Sequence, residues 1–202
     1  SIAEMCGNGV RVFARYLVQA GHMMTAEADI ATRAGVRHVR LHDDGDISVT
    51  MGTVRIEPDD VTIEHQDTWW SACKVDVGNP HAVVVTDHTT VSGINLDDSP
   101  TWQPRSAFPD GVNVEFVEQI DQHTVAMRVH ERGSGETMSC GTGTVAVAAT
   151  MAARTRHRGP WTVYVPGGQV VVTLSPSDDG YQAVLTGPAV ILAAGQVDLP
   201  NG

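Results

Sequence analysis

Thr142-Gly143-Thr144-Val145-Ala146-Val147-Ala148-Ala149-Thr150-Met151-Ala152-Ala153-Arg154 is apolar or small on nearly every side. A helix without a polar face must be buried, so this stretch predicts a helix over 142–154 with other structure wrapped around it. Strands are what remain to do the wrapping. Val36–Leu41, Asp46–Met51, Ala72–Val77, Ala82–Val85, Val112–Val117, Thr162–Val165 and Gln169–Leu174 are short, rich in Val, Ile and Thr, and bounded by Gly, Pro or Asp. His123–His130 alternates, with Val125, Met127 and Val129 on one face. Val165-Pro166-Gly167-Gly168 reads as a hairpin connection. A second buried helix is predicted over Val10–Ala20, apolar except for a stripe of Arg11, Arg15 and Gln19 spaced four apart, with Gly21 as its stop. Thr86–Arg105, rich in Asp, Ser and Pro, reads as a surface loop with one helical turn. Two buried helices among antiparallel-looking strands predict an α+β fold of sheets around central helices.

Composition limits the function. The chain has 202 residues, and its charge is 13 − 24 = −11. That balance argues against nucleic acid and anionic membrane surfaces as main partners. Only Lys74 is available as a Schiff-base lysine, which argues against pyridoxal phosphate. The other basic residues are all arginine, the better fork for a carboxylate. Three cysteines, Cys6, Cys73 and Cys140, without a C-x-x-C pair predict neither a disulfide framework nor a structural zinc. They point instead to a reducing, cytoplasmic compartment. No apolar run approaches the ~18 residues of a membrane span, and no secretory signal pattern is visible.

One motif occurs twice. Met5-Cys6-Gly7-Asn8-Gly9 precedes the first predicted helix, and Ser139-Cys140-Gly141-Thr142-Gly143 precedes the second. A helix N-terminus presents unpaired N–H groups and about half a positive charge. A thiol placed there ionises more readily, the glycines admit a ligand close to the backbone, and the N–H groups can hold a carboxylate. Two such mouths facing one molecule would set a thiol on each side of it. That arrangement suits a two-base inversion at carbon with no cofactor: one thiolate removes a proton and the opposite thiol returns one.

Met5-Cys6-Gly7-Asn8-Gly9-Val10-Arg11, Asp76-Val77-Gly78-Asn79-Pro80-His81, Gly111-Val112-Asn113-Val114-Glu115, and Glu131-Arg132-Gly133 followed by Cys140-Gly141-Thr142-Gly143-Thr144 together resemble the bacterial diaminopimelate epimerases, in order and across the whole chain. The resemblance implies interconversion of LL- and meso-diaminopimelate for lysine and peptidoglycan synthesis, without pyridoxal phosphate or metal. It implies two pseudo-symmetric domains, each a sheet around a central helix. One comprises residues 51–185, the other 1–50 with 186–202 returning, and the site lies between them. Cys6 matches the thiolate that takes the proton, and Cys140 the thiol that reprotonates. His81 and Glu131 match groups that assist the proton transfers. Gly7, Asn8, Gly141 and Thr142 match the residues holding the reacting centre. Asn79, Asn113, Glu131 and Arg132 match those gripping the distal end, with Arg132 as the carboxylate fork. The family pattern also carries a segment ahead of the first motif, whereas Ser1 opens this chain inside it. A truncated first domain, an under-covered 10–20 helix and reduced activity are the corresponding expectations, with a homodimer when the protein is full length. Two rivals stand beside this reading: a proline or hydroxyproline racemase type, and an inactive fragment serving as a folded or dimerising module. Cys73 reads as a structural thiol, and the histidines other than His81 as surface or packing residues. Trp69-Trp70 fits a core or a dimer surface equally.

Overall fold

The computed structural model describes residues 5–87 and 89–195, with the backbone alone at 58–60. Helix α2 (Gly141–Thr155) is its axis, and Val145 to Ala149 together with Met151 are wholly shielded from solvent. Eight strands close a ring around it: β3 (Ile47–His65), β12 (Gly180–Gly187), β11 (Gly168–Ser177), β10 (Trp161–Val165), β8 (Thr124–Glu131), β7 (Asn113–Gln119), β5 (Pro80–Val85) and β4 (Thr68–Asp76). Each pairs with the next, and β4 pairs back to β3. The small residues of α2 explain how strands can approach a helix from every direction. Two neighbouring pairs are parallel, β5–β7 and β8–β10. Parallel neighbours need a long crossover, and α2 itself supplies the one between β8 and β10, so the helix is threaded through the ring by its own connection.

β3 carries the layout beyond the ring. Its first part pairs with β12 and with β2 (Gly35–Leu41), and its last part with β4 and the short β6 (Thr101–Gln103). β1 (Glu27–Thr32) extends the sheet past β2, and β9 (Gly135–Thr137) flanks β8. Helix α1 (Gly7–Gln19) packs on β3 outside the ring and meets α2 at their N-terminal ends. β3 and β12 run unbroken through residues 51 and 185, where the sequence reading divided the chain. Residues 1–4 and 196–202 of the expected first domain lie outside the described residues.

Three sequence expectations need correction. The first concerns α1, whose apolar side is under-covered as expected but whose polar stripe does not face solvent. Its arginine stripe turns inward: Arg11 is 5% exposed, while Val12, Phe13 and Tyr16 are 44–53% exposed. Hydrogen bonds account for this reversal at Arg15 but only in part at Arg11, whose Nε and Nη1 are buried without a partner. Arg11 Nη2 donates to Asn8 Oδ1 at 2.9 Å, and Arg15 donates to the carbonyls of Ala189 and Gly45. The second concerns the 86–105 segment. Val91, Ile94 and Leu96 are buried in a second apolar cluster with Phe108 and Phe116, and the segment contains the 3-10 turn Val91–Gly93 and the strand β6 (Thr101–Gln103). Third, β1, β6, β9 and β12 were not expected.

The β12–β3 seam depends on one glycine. Gly180 has φ +133°, and a Cβ there would lie 2.3 Å from the Val54 carbonyl oxygen. Gly180→Ala therefore combines a left-handed backbone with a clash against main chain that cannot swing away. We expect a loss of about 1–3 kcal/mol or more, read as a lower thermal midpoint. An unchanged midpoint would show that the seam gives way locally.

Candidate active site

The repeated motif forms the same local structure twice. Cys6 and Cys140 are the N-caps of α1 and α2, with nearly equal backbone angles: φ −132°, ψ 108° and φ −116°, ψ 113°. Each sulfur accepts from the backbone N–H three residues on, from Gly9 at 3.4 Å and from Gly143 at 3.3 Å. The two helix mouths touch. A Cβ on Gly141 would lie 3.3 Å from Gly7 Cα, so a side chain at 141 would press directly on the opposing backbone. Asn8 Nδ2 closes the junction by donating to the Ser139 carbonyl at 3.3 Å.

Both thiols open into one cavity of ≈ 380 Å³. Of the residues that the sequence pointed to, Gly7, Asn8, Asn79, Asn113, Glu131, Arg132, Gly141 and Thr142 line it with Cys6 and Cys140. His81 does not. It is wholly buried behind the wall and reaches Cys140 only through a hydrogen-bonded series. Glu115 Oε1 is 2.7 Å from His81 Nδ1, and His81 Nε2 is 3.1 Å from Asn79 Oδ1. Asn79 Nδ2 then donates to Thr142 Oγ1 at 3.3 Å, and Thr142 Oγ1 lies 3.5 Å from Cys140 Sγ. At the other end of the cavity, Asn113 Oδ1 accepts from the Arg132 backbone N–H at 2.9 Å, and Glu131 accepts from Thr137. The Arg132 guanidinium donates to the Asp110 carbonyl at 3.3 Å.

The two thiols have unlike surroundings. Cys6 is exposed and Cys140 is 7% exposed. Burial, then the nearby Glu115 and Glu131 carboxylates, push the Cys140 thiol up to about 12. At neutral pH Cys140 therefore carries its proton. Burial also raises Glu115 above the ordinary carboxylate range, with His81 opposing.

Residues 1–57 and 73–192 match the family model of diaminopimelate epimerase. The chain belongs to the diaminopimelate epimerase family. A diaminopimelate epimerase from Streptomyces coelicolor is 48% identical over 98% of this chain and 70% of the relative. One from Thermobifida fusca is 45% identical over the same shares, 98% and 70%. Among solved structures, a probable proline racemase from Agrobacterium radiobacter K84 aligns with a TM-score of 0.72 at 19% identity, covering 98% of this chain and 68% of that one. A hydroxyproline epimerase from Agrobacterium vitis aligns with a TM-score of 0.67 at 18% identity, covering 92% of this chain and 64% of that one. At such identities these two share the fold alone.

Within this diaminopimelate epimerase fold, sequence reasoning missed two charged residues beside the site. Glu115 stood inside a quoted motif but was given no role. A Cβ on Gly143 would lie 2.7 Å from Glu115 Oε1, so the carboxyl group sits against the first turn of α2. Arg37 lines the cavity from β2, and only its spacing two before the apolar Val39 in an alternating strand hinted that it faces inward. Cys73 is half-buried against the core and takes no part in the cavity. Trp69 is 50% exposed, whereas Trp70 packs edge-on to Phe116.

Proposed function

We propose that this chain interconverts LL- and meso-diaminopimelate by a two-thiol proton transfer, serving lysine and peptidoglycan synthesis. The observation that carries the reading is the meeting of two thiol-capped helix mouths at one cavity. The substrate's reacting α-carbon lies between the sulfurs. Its carboxylate takes N–H groups at the mouths, beside Gly7, Asn8, Gly141 and Thr142, where helix dipoles favour an anion. The Cys6 thiolate removes the α-proton and becomes a thiol. The carbanion collects the proton of Cys140 on the opposite face, which inverts the centre and leaves Cys140 as the thiolate. Loss of product and proton exchange with water reset the pair, and the reverse reaction exchanges the two roles. Support for Cys140 as the resting proton donor comes from its burial beside two carboxylates. His81 acts as a positioning residue through Asn79 and Thr142. Arg132, Glu131 and Asn113 take the distal amino acid end, a carboxylate on the guanidinium and an ammonium on Glu131.

The reading extends to a cofactor-free, cytoplasmic enzyme that is a homodimer when full length, with its cleft between the residues 51–185 and the remainder. Lys74 supports independence from pyridoxal phosphate: its Nζ lies 2.8 Å from Glu57 on the β3–β4 pair, and it does not line the cavity. Among the described residues no helix is long and apolar enough to cross a membrane. The homodimer rests on the family resemblance. In heavy water, diaminopimelate should gain deuterium at its α-carbon without added cofactor. Exchange of proline in place of diaminopimelate would overturn the substrate.

A further inference from the structure

Arg37 is surplus to the residues that the proposed function uses, yet it is built into the same cavity. On β2 the inward row is Arg37, Val39 and Leu41, while Val36, His38 and Arg40 are exposed. An arginine thus occupies the site end of a row whose next member, Val39, is wholly buried. Its guanidinium is accommodated by a missing side chain. Gly52, at φ +91°, leaves the space, and a Cβ there would lie 2.9 Å from Arg37 Nη1. Few of its N–H groups are used. Nη2 donates to the Ala34 carbonyl at 3.1 Å, and Nε is buried without a partner. A desolvated, unpaired donor on a cation costs free energy unless an acceptor arrives. The protein acceptor of the cavity that could compete is Glu131, which is already engaged by Thr137. Arg132, the other arginine lining the cavity, spends one N–H on the Asp110 carbonyl. The two guanidiniums come from separate parts of the sheet, one from β2 and one from the end of β8.

We propose that Arg37 is a specificity-determining residue that binds the second, non-reacting carboxylate of a dicarboxylic substrate together with Arg132. This rests on the epimerase reading above. The α-carboxylate is satisfied by the helix mouths, so a cation elsewhere in the cavity selects for a second anionic end. A fork–fork contact through Nε and Nη1 would satisfy the buried nitrogen and fix the far end of the chain, and with it the position of the α-carbon between the thiols.

Diaminopimelate and lysine separate the possibilities, because lysine is the same carbon chain without the second carboxylate. Binding of each is measured by calorimetry to the enzyme carrying Cys6→Ala and Cys140→Ala, with and without Arg37→Gln, and wild-type and Arg37→Gln turnover is followed by deuterium exchange. Arg37→Gln should weaken diaminopimelate binding and raise its KM roughly 10- to 100-fold, the worth of one charged hydrogen-bonded contact. It should lower kcat less, and lysine binding should stay unchanged. Arg37→Lys should restore part of the loss, since it keeps the charge but not the fork. Equal weakening of both ligands, or of neither, would overturn the role of Arg37 while wild-type exchange leaves the epimerase reading standing. Absence of exchange by the wild type would overturn both.

Discussion

Cys6→Ala and Cys140→Ala each lose inversion of diaminopimelate by at least about a thousandfold, while Cys73→Ala retains it. A positioned proton donor or acceptor contributes about 10²–10⁴-fold to a proton-transfer step, and Cys6 and Cys140 are the two thiols that line the cavity. Each sulfur caps its own helix at 3.3–3.4 Å from a backbone N–H. The Glu115–His81 pair is buried behind the wall and reaches the cavity only through Asn79 and Thr142, an amide and a hydroxyl. Cys73 lies on β4, half-buried, with burial raising its thiol above the ordinary range. Asymmetry between the two active thiols gives an independent check. With the Cys140 thiol up at about 12, iodoacetamide at pH 8 should label Cys6 well ahead of Cys140 in the free enzyme. Peptide mapping that finds Cys140 or Cys73 modified first, or either alanine variant inverting at the wild-type rate, would rule out the two-thiol scheme.

Glu115→Ala should cost about 3–5 kcal/mol of folding stability, a large part of the ~5–15 kcal/mol typical of a whole domain. Both partners of the Glu115–His81 contact are completely buried at 2.7 Å. Removing the carboxyl group leaves His81 Nδ1 without a partner in a space that water does not reach, and leaves a void beside Gly143. Glu115→Gln keeps a hydrogen-bonding group of the same shape. The amide keeps an acceptor against His81 and, being neutral, avoids the burial cost that raises Glu115 above the usual carboxylate range, so this variant should lose much less. Thermal or urea unfolding distinguishes the pair, and equal losses would show that volume rather than hydrogen bonding is what the site requires. The pH dependence has a definite sign as well. A group whose folded pKa is raised stabilises the protein fully below its unfolded pKa and loses that contribution as pH rises through the folded value. For Cys140 the window runs from the ordinary thiol value, about 8.5, to about 12. Alkaline unfolding should therefore come at higher pH in Cys140→Ala than in the parent, once stabilities at neutral pH are matched.

Local chemistry was legible in the sequence and tertiary chemistry was not. The two C-G-x-G turns, both helices and the Pro166-Gly167 hairpin depend on residues within a few positions of one another, and the structure places them within three residues of expectation. β3 was read only as Asp46–Met51, because Pro58-Asp59-Asp60 looks like a break. The strand passes through it with a register slip between Glu57 and Val61. β12, Gly-Tyr-Gln-Ala-Val-Leu-Thr-Gly, begins and ends on glycine and carries little apolar alternation, so it became recognisable only once β3 and β11 bracketed it. The inward turn of Arg11 has a similar cause. A helical wheel shows that Arg11, Arg15 and Gln19 share a face, but not that this face meets the rest of the fold, where the carbonyls of Gly45 and Ala189 wait for Arg15. Glu115 was quoted and passed over because a carboxyl group becomes unusual only when it is buried.

The contact between Gly7 and Gly141 has an energetic side. Two helices of 13 and 15 residues point their N-termini at one spot, and each brings roughly half an elementary charge of the same sign. Like poles meeting repel, so the surrounding packing holds this junction together against its own field. A bound carboxylate reverses the sign of that interaction for both helices at once. In the proposed reaction the substrate carboxylate is therefore a counter-ion of the fold as well as part of the reactant, and its binding should tighten this seam by ordinary mass action.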